Sequence, residues 1–217
     1  MRTLWILFGV LLVSGCQASD QSWRRSDPDA GPWALGFVTP YAMDGWVEDA
    51  ATIDTHGTLY RRINSGASGG KKNGKSGARG WAVVGTGTER EVRDAKLPVR
   101  IYVRWQSLVE PQTYQGWIEI PEDARQVLRK ALSLDCPSIP EMAAIPKRAS
   151  VRLGLAPGGV VQVWAFDECL HPVKVAHAQV GVEPKGPGLG LSGGSYFPLE
   201  DDSKRYVEKY GIPYGSW

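Results

Sequence analysis

Glycine-rich segments of the chain contain strings that elsewhere carry out phosphate or acyl chemistry. Residues 69–76 (GGKKNGKS) match the P-loop string. That loop needs a strand before it and a helix after it, because the helix N-terminus holds the phosphate. Here residues 77–80 (GARG) and then a predicted strand follow. We therefore interpret segment 65–80 as a flexible, basic surface loop that binds no nucleotide.

A second glycine-rich segment places Ser192 in a G-x-S-x-G string. In hydrolases with this nucleophile elbow the catalytic histidine follows the serine along the chain. The last histidine here is His177. The overlapping G-x-G-x-x-G string at 188–193 lacks the βαβ unit that gives it meaning. A loop between the last strand and the last helix explains the segment better.

The remaining groups that could transfer protons or hold a metal are few. His56, His171 and His177 show no metal-binding or catalytic spacing, so we predict surface or packed histidines. The acidic pairs are Glu48–Asp49 and Asp201–Asp202. Two carboxylates that meet in space can hydrolyse a bond, so a hydrolase is an alternative. The sequence otherwise predicts no enzyme, no metal site and no cofactor.

The N-terminus has the pattern of an export signal. Arg2 precedes the apolar run 5–13, which is shorter than the ~20 residues that span a bilayer. The run ends in Val13-Ser14-Gly15-Cys16, which resembles a bacterial lipobox. That resemblance implies acylation of Cys16, including palmitate, and cleavage before it. A plain signal peptide or an uncleaved anchor is the alternative.

The lipobox resemblance also implies an address. In such lipoproteins an Asp after the cysteine retains the protein in the inner membrane, so Gln17 favours the outer membrane and its periplasmic face. We predict a signal peptide at 1–15, a lipidated tether at 16–31 and one β-rich periplasmic domain at 32–217. Since the periplasm is oxidising, Cys136 and Cys169 are predicted to form a disulfide. Two buried free thiols are the alternative.

The elements that must position any site are mostly short strands. The chain has 217 residues and a net charge of +2, too balanced for a dedicated nucleic-acid binder. Residues 99–105 alternate apolar and polar side chains, as do residues 151–155, and turn signals separate about nine such segments. The pattern predicts an antiparallel β-sandwich or a barrel-like domain. The turn at Pro157-Gly158 suits type II.

Two helices are predicted to interrupt the strands. The first follows Pro121, with acids at its start, bases at its end and one apolar stripe, so it should pack on a sheet. The second runs from about Glu200 to Tyr210, where Gly211 stands just after its end.

The candidate partner-binding residues fall into two groups. Basic side chains surround the glycine-rich loop, and aromatic side chains end the chain. The groups are Arg61, Arg62, Lys71, Lys72, Lys75 and Arg79, and Tyr210, Tyr214 and Trp217. The bases favour an acidic partner or anionic headgroups, although solubility and protection of strand edges explain them too. The aromatics are interface anchors or part of the core.

Several stretches resemble one known family. They are the lipobox, Trp46-Val47-Glu48-Asp49, residues 101–114 (IYVRWQSLVEPQTY), residues 154–159 (GLAPGG) and residues 205–217 (RYVEKYGIPYGSW). Together they are similar to proteobacterial lipoproteins classified only as a domain of unknown function. Some members resemble immunity proteins for phospholipase toxins of the type VI secretion system.

The resemblance implies a lipid-anchored protein that binds and inhibits a secreted phospholipase, with Cys16 as the one functional residue it transfers. The alternative is an envelope lipoprotein that binds a small molecule or another envelope protein. A large apolar cavity would favour ligand binding, and a buried acid pair in a cleft would favour a hydrolase.

Overall fold

The computed structural model describes residues 27–69, 79–81, 84 and 89–217. These residues form eleven strands and two α-helices. The strands are β1 (Trp33–Val38), β2 (Gly45–Asp54), β3 (Leu59–Arg61), β4 (Gly66–Ser68), β5 (Glu89–Glu91), β6 (Pro98–Ser107), β7 (Gln112–Glu119), β8 (Ala149–Ala156), β9 (Val160–Phe166), β10 (Pro172–Gln179) and β11 (Gly181–Val182). The helices are α1 (Glu122–Ser133) and α2 (Asp201–Tyr210).

The strands form two sheets that pack face to face. The first sheet has the order β10-β9-β8-β1-β5, and the second has the order β11-β7-β6-β2-β3, with β4 also paired to β2. No closed barrel forms from the described residues, so the β-sandwich is the confirmed alternative. The β1–β8 pair is parallel, whereas the other named pairs are antiparallel.

The core lies between the sheets and follows the period of two along each strand. Leu35, Leu153 and Val163 project from the first sheet, and Ile101 and Val103 from the second; all five are fully buried. Their polar neighbours on these strands therefore lie on the outer faces of the sandwich. Burial of this apolar set supplies the main stabilisation of the fold.

Both helices form where the sequence predicts them. In α1 the apolar stripe buries Ala124 and Leu128 in the main core, and the helix contacts β8, β9 and β10. Helix α2 ends at Gly211, whose φ of 71° lets the chain leave the helix. None of the helices in the described part of the chain is long and apolar enough to cross a membrane.

One turn joins two strands as expected, and one loop differs from its prediction. Gly158 has φ 80° and ψ 5°, the values of the third position of a type II turn. Within the predicted flexible loop 65–80, residues 66–68 instead form β4, because β2 extends far enough to pair with them. Residues 70–78 of that loop lie outside the described residues.

Residues 27–31, which the sequence places in the tether, lie against the domain. The Leu97 N–H donates to the carbonyl of Asp29, and Arg129 forms a 2.7 Å ion pair with the Asp29 carboxylate. Asp27 forms an ion pair with Lys96, and its carboxylate lies 3.0 Å from Nε2 of His56. Both carboxylates of this segment thus contact basic side chains of the sandwich.

Candidate binding site

An aromatic row crosses the outer face of the second sheet. The strand registers place Arg61, Ala51, Tyr102 and Trp117 side by side on β3, β2, β6 and β7. The rings of Tyr102 and Trp117 lie 5.5 Å apart, and the Arg100 guanidinium lies 5.1 Å from the Trp117 ring. We call Arg100, Tyr102 and Trp117 the aromatic row. Trp, Tyr and Arg are the residues that most often anchor protein interfaces.

The aromatic row is held in place by polar contacts. The Tyr102 hydroxyl donates to the Gln115 side chain at 2.6 Å, and burial raises the pKa of Tyr102, which keeps the hydroxyl protonated. Arg100 forms a 2.8 Å ion pair with Glu119. Trp117 is 36% exposed although it lies within a β-sheet. Side chains fixed in this way lose little conformational entropy when a partner binds.

Glu48 organises the next part of the same face. Its Oε2 accepts a 2.7 Å hydrogen bond from Arg104, and its Oε1 accepts from Gln106 and from the Gly188 N–H. Burial alone raises the pKa of Glu48, but these donors outweigh it and hold that pKa below its ordinary value. Both oxygens of Glu48 accept hydrogen bonds. Glu48 therefore holds the segment that follows β11 and does not act as a proton donor.

That segment is also anchored by an aromatic stack. The Phe197 ring lies 3.7 Å from the Trp46 ring in a stacked arrangement, and its N–H donates to Gln106. The G-x-S-x-G serine, Ser192, donates its hydroxyl to the Pro187 carbonyl, so it serves the turn. The segment forms a loop and turns, as the sequence predicts.

An arginine cleft opens where the edges of the two sheets meet. It encloses about 440 Å³ between β3 and β5 and is lined by Arg61, Arg62 and Arg93, with Glu91 as its acid. The three arginines are exposed, and none forms an ion pair with a carboxylate among the described residues. We call these three residues the arginine cleft. Its net charge suits a phosphate or a carboxylate.

The arginine cleft adjoins the segment that leads into β1. Glu91 and Val92 line the cleft and also line the depression that holds residues 30–32. The Val92 N–H donates to the carbonyl of Trp33. The start of the domain and the cleft therefore lie on the same side of the sandwich.

A disulfide groove of about 820 Å³ lies along the outer face of the first sheet. Its floor is the carboxylate of Glu89, which accepts from Ser150 at 2.6 Å, Arg148 at 3.0 Å and the buried Arg152 at 2.5 Å. Leu134, Ile145 and Leu170 are more than two-fifths exposed and line its rim. A polar floor with an apolar rim suits an amphiphilic molecule.

The predicted disulfide is present beside this groove, and it means that Cys169 is not available as a metal ligand. Cys136 and Cys169 are bonded, with Cα atoms 4.8 Å apart. Cys169, Asp167 and His171 lie close enough to share an ion, but a disulfide sulfur is not the thiolate that a metal binds. Asp167 accepts from the N–H groups of Cys169 and His171 and so shapes the turn.

Comparison with known proteins gives one match. The family model of DUF2931, a protein of unknown function, matches residues 18–215. The chain belongs to the DUF2931 family. No curated protein and no solved structure matches it. The finer resemblance, to proteobacterial lipoproteins with immunity members, stays a prediction.

In this DUF2931 chain the basic residues that were predicted to bind a partner lie at different sites. Arg61 and Arg62 join Arg93, which lies just after β5. The sequence did not single out Arg93, because its proximity to β3 depends on the packing of the two sheets. Arg79 instead reaches the C-terminal tail, where it donates to the Ser216 hydroxyl at 3.5 Å. Lys71, Lys72, Lys75 and Cys16 lie outside the described residues.

The tail aromatics form small clusters of their own. Tyr210 packs beside Tyr206, with ring centroids 5.0 Å apart, and Tyr214 packs edge-on to Trp217. Tyr210 and Tyr214 are at least two-fifths exposed, so they are not core residues, whereas Trp217 is half-buried. The sequence signal for the aromatic row was present in residues 101–114, but alternation alone does not tell which outward side chains form an interface.

Proposed function

We propose that this chain is a lipid-anchored periplasmic protein that binds and inhibits a phospholipase effector of the type VI secretion system, and that it catalyses no reaction. Inhibition by binding needs a rigid surface with anchoring side chains. The aromatic row is the observation that carries the proposal. Trp117 and Tyr102 stand on two hydrogen-bonded strands, which fix the position of both side chains. The lipobox and the family resemblance support the address and the partner.

The proposal assigns the aromatic row to the centre of the interface. A standard interface buries ~1,600 Å² in total, about half of it on each partner. Truncation of a buried aromatic anchor at such an interface costs 2 kcal/mol or more, which is about thirtyfold in Kd. Arg79 and the tail aromatics Tyr210, Tyr214 and Trp217 remain the second candidate surface. Lys71, Lys72 and Lys75 remain predictions.

The deciding experiment is survival. A lipase-type toxin encoded beside this chain is expressed in the periplasm with and without the chain, and survival should require the chain. The purified pair should form a stoichiometric complex without lipase activity. Equal killing in both strains, or the lack of a neighbouring lipase gene, removes the immunity proposal.

Two variants then locate the interface. Trp117→Ala should raise the Kd of the complex at least thirtyfold. Because about two-thirds of the Trp117 surface is buried, a cooperative urea transition must show that the free variant remains folded. Leu191→Ala is the matched control, since Leu191 is 93% exposed and lies on a loop outside the row. Equal affinities for the two variants would place the interface elsewhere.

A second candidate function rests on the disulfide groove. Its volume falls within the range of ligand pockets, ~300–1,000 Å³. An envelope lipoprotein could hold an amphiphilic small molecule there, with the polar end over Glu89 and Arg152. Native mass spectrometry of protein purified from the periplasm tests this candidate, which requires a bound mass that Ile145→Asp abolishes.

A further inference from the structure

The three residues of the arginine cleft form no ion pair with a carboxylate among the described residues. Most other arginines on the sheets and α1 have a carboxylate partner, such as Arg100 with Glu119 and Arg104 with Glu48. Arg61, Arg62 and Arg93 instead line one depression, where Glu91 offsets a single charge. Guanidinium groups form bidentate hydrogen bonds with phosphate, so three exposed arginines around one depression suit that ligand.

We propose that the arginine cleft binds the phosphate groups of anionic phospholipids and so holds the domain against the bilayer that contains its anchor. The inference rests on the lipid anchor of the proposed function. Arg61 stands in register with the aromatic row, two strands from Tyr102, so binding to lipid is measured without the toxin. Its ligand is a lipid headgroup at a membrane surface.

The position of the cleft decides in favour of a membrane. Only ten residues lie between Cys16 and Asp27, where the described residues begin. The eleven Cα–Cα steps from Cys16 to Asp27 span at most about 40 Å even when fully extended. The surface around Asp27 therefore lies within about that distance of the proposed lipid anchor. Glu91 and Val92 connect that surface to the cleft.

The backbone also presents the arginines outward. Arg62 has φ 55°, a left-handed conformation that long side chains rarely adopt. The next residues turn back into the fold, because the Ile63 N–H donates to Ala50 and the buried Asn64 side chain donates to the Leu35 carbonyl. The chain thus turns inward immediately after Arg62 and leaves its side chain at the mouth of the cleft.

Protection of sheet edges is the competing explanation for these charges. β3 and β5 are edge strands, and basic side chains on edges block pairing with other chains. That role requires no affinity for lipid. Vesicle binding therefore separates the two explanations.

The test uses the mature chain, residues 16–217, with Cys16→Ser so that no acyl group contributes to binding. Its partition is measured by co-sedimentation with vesicles of phosphatidylcholine, alone or with one-third phosphatidylglycerol. Binding should require phosphatidylglycerol and should be lost in molar salt, where the screening length falls to ~3 Å. Arg61→Gln combined with Arg93→Gln should lower the partition coefficient about 30-fold, since each basic residue near an anionic surface contributes about fivefold.

Lys174→Gln combined with Lys185→Gln is the matched control. Lys174 is on β10 and Lys185 follows β11, so both lie at the far edges of the two sheets and are exposed. This variant removes the same charge and should change partition less than about twofold, because charges beyond a screening length of ~8 Å contribute little.

Several results would overturn the proposal. Equal losses in the two double variants would show attraction by net charge alone, and equal binding to both vesicle types would show that the cleft does not require an anionic phospholipid. Displacement from vesicles by millimolar inorganic phosphate would indicate a site for free phosphate. Normal vesicle binding by Arg61→Gln/Arg93→Gln with weaker inhibition of the toxin would assign the cleft to the protein partner. Because vesicle binding is measured without the toxin, failure of the immunity proposal leaves the vesicle results readable.

Discussion

The Tyr214 hydroxyl donates a 2.5 Å hydrogen bond to Oε2 of Glu110, which ties the C-terminal tail to the turn between β6 and β7. The other oxygen of Glu110 accepts from the Gly158 N–H at 2.8 Å. Gly158 is in the turn between β8 and β9, so this one carboxylate joins the two sheets and the tail. Burial of Tyr214, with Glu110 beside it, raises the pKa of the hydroxyl, so the donor stays protonated at neutral pH.

Tyr214→Phe should lower the free energy of unfolding by about 1 kcal/mol, the net value of one such hydrogen bond. Urea denaturation at neutral pH measures the change. Tyr210→Phe is the control, because the Tyr210 hydroxyl has no hydrogen-bond partner among the described residues, and it should be neutral. A loss of stability in both variants, or in neither, would show that Glu110 does not hold the tail.

Local sequence patterns predict the parts of this fold that depend on local forces. The alternation in residues 99–105 and 151–155 appears as β6 and β8, and the apolar stripe of α1 faces the core. Each apolar pattern indicates which side of its own strand or helix is buried, and that side can be identified without knowledge of the neighbouring elements. The cysteine pair was predictable because only two cysteines remain once Cys16 is assigned to lipid.

The pairing of strands that are distant in the sequence cannot be predicted from such local patterns. β1 and β8 lie parallel although more than 100 residues separate them, and nothing local indicates that Leu35 pairs with Val151. The three-residue strands β4 and β5 are too short to show alternation. Arg93 therefore could not be grouped with Arg61 and Arg62 from the sequence, because their proximity depends on both edges of the sandwich.

Removal of the Cys136–Cys169 disulfide should lower the free energy of unfolding by roughly 3–4 kcal/mol. The bond closes a loop with a sequence separation of 33, and the chain-entropy model gives that range for such a loop. The double variant Cys136→Ser/Cys169→Ser, compared with the oxidised protein by urea denaturation, checks the value. Reduction of the unaltered protein should give the same loss; a smaller loss in the variant would point to residual structure in its unfolded state.

Gly154→Ala should disturb a tryptophan pair on the outer face of the first sheet. A Cβ at Gly154 would lie 2.4 Å from the Trp81 ring and 2.6 Å from the Trp164 ring, which pack edge to face at 5.1 Å. One ring must move, at a cost of about 1–3 kcal/mol, and tryptophan fluorescence should shift to longer wavelength. Gly181→Ala meets nothing within 4 Å and should leave both measurements unchanged. An unperturbed Gly154→Ala protein would mean that Trp81 does not cover this glycine.

The last prediction concerns the ion pair that fixes the outer face of the second sheet. The Glu48 and Arg104 side chains are 7% and 14% exposed, so Glu48→Gln leaves a nearly buried guanidinium without its counter-charge. The free energy of unfolding should fall by about 3 kcal/mol at pH 7, the usual order for one broken partner of a buried pair. Glu119→Gln is the control, because the Glu119 side chain is 73% exposed and its pair with Arg100 contributes at most about 1 kcal/mol.

The pH dependence gives the same experiment a sharper readout. Donors from Gly188, Arg104 and Gln106 hold the pKa of Glu48 below its ordinary value of 4.5 in the folded protein. As the pH falls, Glu48 therefore takes up a proton in the unfolded chain before it does so in the folded protein. The free energy of unfolding decreases once the pH falls below the ordinary pKa. The advantage of the unaltered protein over Glu48→Gln should be constant above the ordinary pKa and should shrink as the pH falls through the folded one. If the difference in free energy of unfolding between the two proteins stayed constant at acidic pH, the charge of Glu48 would not be what stabilises this face.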